Sequence, residues 1–139
     1  MINYYLISLI DSCTRIVHLE FMEKIDALTV MFASLRMLNI FRINYNIEFK
    51  EILSDNGSEF GCGKSVKNEM THPFERLLVE MGIKHRYTKP YRPQTNGKVE
   101  RFWKTLKYDL LEDTVFDSKE HFKEELLQYI YYFNNLRPH

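Results

Sequence analysis

Residues 90–100 read Pro-Tyr-Arg-Pro-Gln-Thr-Asn-Gly-Lys-Val-Glu, and residues 54–60 read Ser-Asp-Asn-Gly-Ser-Glu-Phe. The first stretch runs from a proline-stiffened loop into the opening turn of a helix and sets one carboxylate, Glu100, on that turn. The second ends a short apolar strand at Asp55 and turns at once through Asn56 and Gly57. Taken alone, Asp-Asn-Gly is an ordinary turn sequence and a helix Glu an ordinary surface residue. Taken in order, a strand-end Asp and a helix-borne Glu can converge on a divalent cation. Oxygen ligands of that kind suit the cutting and joining of phosphodiesters by two metal ions.

The elements around these stretches alternate. Residues 4–10 and 16–22 read as strands, the second with Val17, Leu19 and Phe21 at period two, and the polar link 11–15 makes them a hairpin. Residues 26–41 read as a helix with Asp26 as N-cap and Leu28, Met31, Leu35 and Leu38 at helical spacing. A strand over 49–54 leads to Asp55. Residues 61–73 are polar and without period, hence a loop. Phe74, Leu77, Leu78 and Met81 mark a helix that Pro73 opens and Gly82 ends. A strand over 83–87 follows, then a helix over 96–113 and another over about 118–134, with Asp117 and Glu120 as a capping box. Strands alternating with helices give an α/β fold, and 139 residues are most simply one domain.

Net charge is zero, but its distribution is uneven. Residues 82–107 hold eight Lys or Arg against one acid, a net +7 that leaves −7 for the remainder. A solvated basic face is the commonplace explanation; around a candidate metal carboxylate, the same charge favours phosphate contact. Cys13 and Cys62 have no CxxC partner and no His at zinc spacing, which fits a reduced, cytoplasmic protein. The apolar stretch 4–10 is too short to span a bilayer and no charged segment precedes it.

Together, residues 54–60 and 87–107 resemble the catalytic core of retroviral integrases and bacterial insertion-sequence transposases, the DDE superfamily, and the likeness extends from Tyr4 to His139. It implies a ribonuclease-H-like mixed sheet with flanking helices, with residues 61–73 as a loop insertion between the Asp and the Glu. It implies DNA integration or transposition, with Mg²⁺ or Mn²⁺ as cofactor, DNA as partner, and a homo-oligomer in the intact family. It assigns Asp55 and Glu100 as catalytic metal ligands. It places Tyr91, Arg92, Gln94, Asn96, Lys98, Lys104 and Lys107 on DNA. At about 100° per residue, Val99, Trp103, Leu106 and Leu110 fall on one side of the helix and face the core, while Glu100, Lys104 and Lys107 share an adjacent stripe.

The family uses a third carboxylate, on its first strand. Asp11, at the end of an apolar strand, is the obvious candidate and a doubtful one. Residues 4–21 resemble the second and third family strands, where an Asp before such a turn binds no metal. On that register the first, central strand and its Asp lie upstream of Met1, and residues 135–139 also look cut short. Two strand edges then face a gap or pair directly with each other. The alternative reading is a catalytically inactive remnant that only binds DNA or partners.

Overall fold

The computed structural model describes residues 4–55, 57–61, 72–88, 97–112 and 115–136. The chain opens with a hairpin, β1 (Tyr5–Ile10) and β2 (Val17–Met22), paired antiparallel from Tyr5 opposite Met22 to Ile10 opposite Val17. Asp11 shapes its turn: Oδ2 accepts from the Thr14 amide at 3.0 Å and from the Thr14 hydroxyl at 2.6 Å. Arg15 then takes a left-handed φ of 66°.

Helix α1 (Ala27–Tyr45) begins at the expected cap, Asp26, whose Oδ1 accepts from the Thr29 amide at 2.7 Å. It runs four residues past the expected end, to Asn46 in the left-handed conformation that closes helices. Its buried face is Val30, Ala33, Ser34, Met37, Leu38 and Phe41. Of the stripe read from sequence only Leu38 belongs to that face, and Leu28 is 54% exposed. The helix is apolar nearly all round, so spacing alone did not select the side that meets the sheets.

Strand β3 (Glu51–Ser54) pairs in parallel with β4 (Lys84–Tyr87), Glu51 opposite Lys84 and Ser54 opposite Tyr87. Between them α2 (Pro73–Glu80) provides the crossover helix, opened by Pro73 and followed by Gly82 at φ 70°. Helix α3 (Gly97–Leu106) passes into a wider π-helical segment, Lys107–Leu111, with the Glu112 amide bonded to the Lys107 carbonyl at 3.0 Å. Phe102, Leu106 and Leu110 lie on one buried line, the i, i+4, i+8 spacing of an apolar helix face. Phe102, 2% exposed, anchors this helix and was absent from the expected core set; Trp103 is only partly buried. Helix α4 (Lys119–Asn135) starts one residue later than the capping box implied: Ser118, not Asp117, accepts from the His121 amide. The Asp117 amide instead donates to His121 Nδ1 at 3.1 Å.

The hairpin is buried on both faces. Ile7 and Met22 join α1, α2, Ile52 and Ile83 in one core; Val17 and Leu19 join α3 and α4 in another. The expected mixed sheet takes the form of two two-stranded sheets among the described residues, β1–β2 and β3–β4, bridged by α1. The edges of β1 and β3 do not pair with each other.

Candidate functional site

A cleft separates those two edges. One end, a cavity of about 210 Å³, is lined by residues 6–9 of the hairpin, by residues 52–55, and by Val99 and Trp103 of α3. The other end, about 800 Å³, is lined by residues 8–11 and 49–53. As β1 advances along the cleft β3 retreats, so the two strands run in opposite directions, with Asp55 at one end and Asp11 at the other.

Asp55 follows the last residue of β3 and is exposed. Its Oδ1 accepts from the Gly57 amide at 2.8 Å, an Asx turn that folds the chain back over the strand end. Oδ2 has no hydrogen-bond partner among the described residues. Glu59 lines the same cavity. Hard carboxylate oxygens at an open cleft end are donors that suit Mg²⁺ or Mn²⁺. Among the described residues, no three His, Cys, Asp or Glu side chains group closely enough to hold a metal ion. Glu100, in the first turn of α3, is exposed and does not line the cavity that its neighbour Val99 shares with Asp55. It forms no ion pair with Lys104 or any other described residue. Asp11 is engaged in its turn through Thr14.

The basic residues divide between two places. Lys98 and Arg101 line the wide end of the cleft with Arg15, Lys50 and Arg86, against Asp11 and Glu51. Lys98 Nζ donates to the Ser12 carbonyl at 2.6 Å, which ties the start of α3 to the hairpin turn. Lys104 and Lys107 are exposed farther along the helix. Tyr91, Arg92, Gln94 and Asn96 lie outside the described residues.

Beneath Asp55 the structure reveals polar residues that the sequence reading passed over. Glu75 of α2, His85 of β4 and Ser54 of β3 are in hydrogen-bond contact, and His72 Nε2 meets the Ser58 carbonyl at 2.7 Å. Burial holds the His85 imidazole below the usual histidine range, opposed by Glu75 and reinforced by His72. The available signal was Glu75 itself, an acid beside Phe74 and one turn from Leu78 on a short helix.

The fold is similar to that of solved integrase catalytic cores. Residues 81–139 match the integrase core domain family. Across its whole length the chain is similar to the “Putative integrase ORF3” of Spiroplasma virus SpV1-C74, 28% identical over 99% of this chain and 39% of that protein. The catalytic core domain of BIV integrase shares the fold with TM-score 0.66 and 23% identity, over 96% of this chain and 77% of that one. The HTLV-2 integrase catalytic core, solved as a dimeric form with magnesium, superposes with TM-score 0.58 and 16% identity over 96% and 77%. The chain therefore spans about two fifths of the curated viral relative. Among the described residues no helix is long and apolar enough to cross a membrane.

Proposed function

We propose that this chain is the core of a DNA polynucleotidyl transferase that integrates or transposes DNA, with Asp55 and Glu100 as its carboxylate metal ligands. The observation that carries the reading is the position of Asp55. It ends a parallel strand pair at the mouth of a cleft that the first turn of α3 also lines. When bound, a divalent metal supplies activation of the attacking oxygen and stabilisation of the leaving one. The chain's own residues hold the Asp55 carboxylate in its Asx turn and offer Lys98 and Lys104 of α3 and Lys107 of the π-helical segment to DNA phosphates. The net +7 of residues 82–107 supports that contact, and DNA ends and target are the partners, in an oligomer like those the family forms. The expected activity is metal-dependent nicking or strand transfer on DNA, assayed with Mg²⁺ or Mn²⁺, and abolished by Asp55→Asn and by Glu100→Gln. Activity indifferent to both substitutions overturns the site.

A second reading keeps the fold and drops the chemistry, leaving a DNA-binding module. That no three His, Cys, Asp or Glu side chains group together among the described residues favours it. Both readings require sequence-independent, salt-dependent DNA binding. Because each phosphate contact contributes about 0.9 to the slope of log affinity against log salt, Lys104→Ala with Lys107→Ala should flatten that slope by roughly 2. An unchanged slope means these lysines do not meet phosphate.

A further inference from the structure

The polar chain beneath Asp55 has an order and an end point. Glu75 is 8% exposed, and its Oε1 accepts from His85 Nδ1 at 2.7 Å and from the Tyr87 hydroxyl. A carboxylate oxygen only accepts, so Nδ1 carries the hydrogen and Nε2 of the neutral ring is an acceptor. Ser54 Oγ lies 2.6 Å from that Nε2 and 3.0 Å from the Asp55 carbonyl oxygen, two acceptors that share its one hydrogen. The contacts thus run from α2 through β4 to β3 and stop at the main chain of Asp55. Ser54 is gripped a second time, its carbonyl accepting from the Thr88 amide at 2.8 Å. The residue before Asp55 is held by side chain and backbone together.

Packing alone does not call for this. A buried carboxylate, imidazole and hydroxyl cost more than apolar residues of the same volume unless every group is satisfied. A satisfied network rigidifies what it ends on. The order carboxylate–imidazole–hydroxyl is also that of a nucleophilic triad. Here, however, the hydroxyl abuts a carbonyl, an acceptor, where acyl transfer needs N–H donors for an oxyanion.

We propose that Glu75, His85 and Ser54 are positioning residues: they fix the angle at which Asp55 leaves β3 and so aim its carboxylate. The geometry stands alone, and the purpose of the aim rests on the metal-dependent reading above. Amide hydrogen exchange at Gly57, whose N–H the Asp55 carboxylate accepts, reads that aim without any metal. Ser54→Ala and His85→Phe should speed Gly57 exchange about tenfold, the loss expected for one net hydrogen bond, while Ser54→Thr, which keeps the hydroxyl, should not. Amides of Val30 and Phe41 in α1 should stay unchanged in all three, and Glu75→Gln, which conserves volume, is the mildest arm. Equal Gly57 exchange throughout overturns the proposal. So does an increase spread over α1, or one that the Ser54→Thr protein shares. Mn²⁺ titration, followed by paramagnetic broadening of the Gly57 resonance, separates the two readings. Broadening that persists in Asp55→Asn sinks the metal site and leaves the exchange result standing. Broadening that needs Asp55 but is as strong in Ser54→Ala as in wild type overturns the aiming role.

Discussion

Gly61 lies where the backbone passes close to this polar cluster. A Cβ there would clash with Tyr87 Oη and Glu75 Oε1, at a φ of +150°. Gly82 also has a positive φ, +70°, but nothing lies within 4 Å of its added Cβ. The two glycines therefore separate steric from conformational cost. Gly82→Ala should lose about 1–2 kcal/mol, the penalty of the left-handed region. Gly61→Ala should lose more and should also disturb the Tyr87 and His85 ring resonances, since Glu75 and Tyr87 must part to admit the methyl. Urea unfolding of both variants checks this, and equal losses would mean the cluster yields freely. Burial also sets a pH dependence. His85 and His18 are both held below their ordinary 6.5, chiefly by burial, so the unfolded chain takes up protons before the folded one does. Their contribution is present above pH 6.5 and is lost as pH falls through the lower folded values. Stability should decline below neutrality, and His85→Gln should remove part of that slope in urea titrations at stepped pH.

Helix termini and clamps show what patterning conveys and what it leaves out. Asp26 and Pro73 were legible because a cap or a helix-opening proline depends on its immediate neighbours alone. The α4 cap was displaced by one because Asp117 and Ser118 are both good caps; Phe116 packing against His121 and Phe122 decides between them. Ser118→Ala should therefore cost about 1 kcal/mol and Asp117→Ala less, measured by thermal unfolding. No local pattern announces Asn134. Its Oδ1 accepts from the Val17 amide at 2.9 Å and its Nδ2 donates to the Val17 carbonyl at 2.8 Å. The side chain thus does for the end of β2 what another strand would do, and Val17 is fully buried. Asn134→Leu leaves an amide and a carbonyl unpaired, about 1–3 kcal/mol each. A loss no larger than that of an exposed-face substitution such as Asn135→Ala would show that water takes over the clamp. The candidate site was legible to the same degree. The turn at Asp55 depends on its neighbours alone and is legible, whereas the Glu75–His85–Ser54 chain joins residues up to 31 positions apart and needs the β3–β4 register to exist. Phe102 was passed over for a related reason, because its burial depends on Phe133 of α4, 31 positions away, and not on its neighbours in α3.

At the scale of the whole molecule, the hairpin does double duty. Alternation along β1 and β2 sends Ile7 and Met22 to the core with α1 and α2, and Val17 and Leu19 to the core with α3 and α4. Neither core closes without it, and among the described residues β1 is paired on one side only, beside the open cleft. Total stability is of order 5–15 kcal/mol for a domain of this size, while truncating one buried aliphatic side chain costs about 2–5 kcal/mol. Ile7→Ala in one core and Leu19→Ala in the other should then each remove a large share of the total. Because the hairpin is common to both cores, each should shift a single unfolding transition of the entire chain. Trp103, the one tryptophan, lines the cleft and packs at the margin of the second core, so its fluorescence reports there while far-UV circular dichroism reports everywhere. The expected result is coincident urea transitions by both probes in wild type and in both variants, with a low midpoint. If Leu19→Ala moves the fluorescence transition ahead of the dichroism transition, the α3–α4 core melts by itself. The hairpin would then be secured mainly by α1, and the two sheets would be separate folding units rather than halves of one.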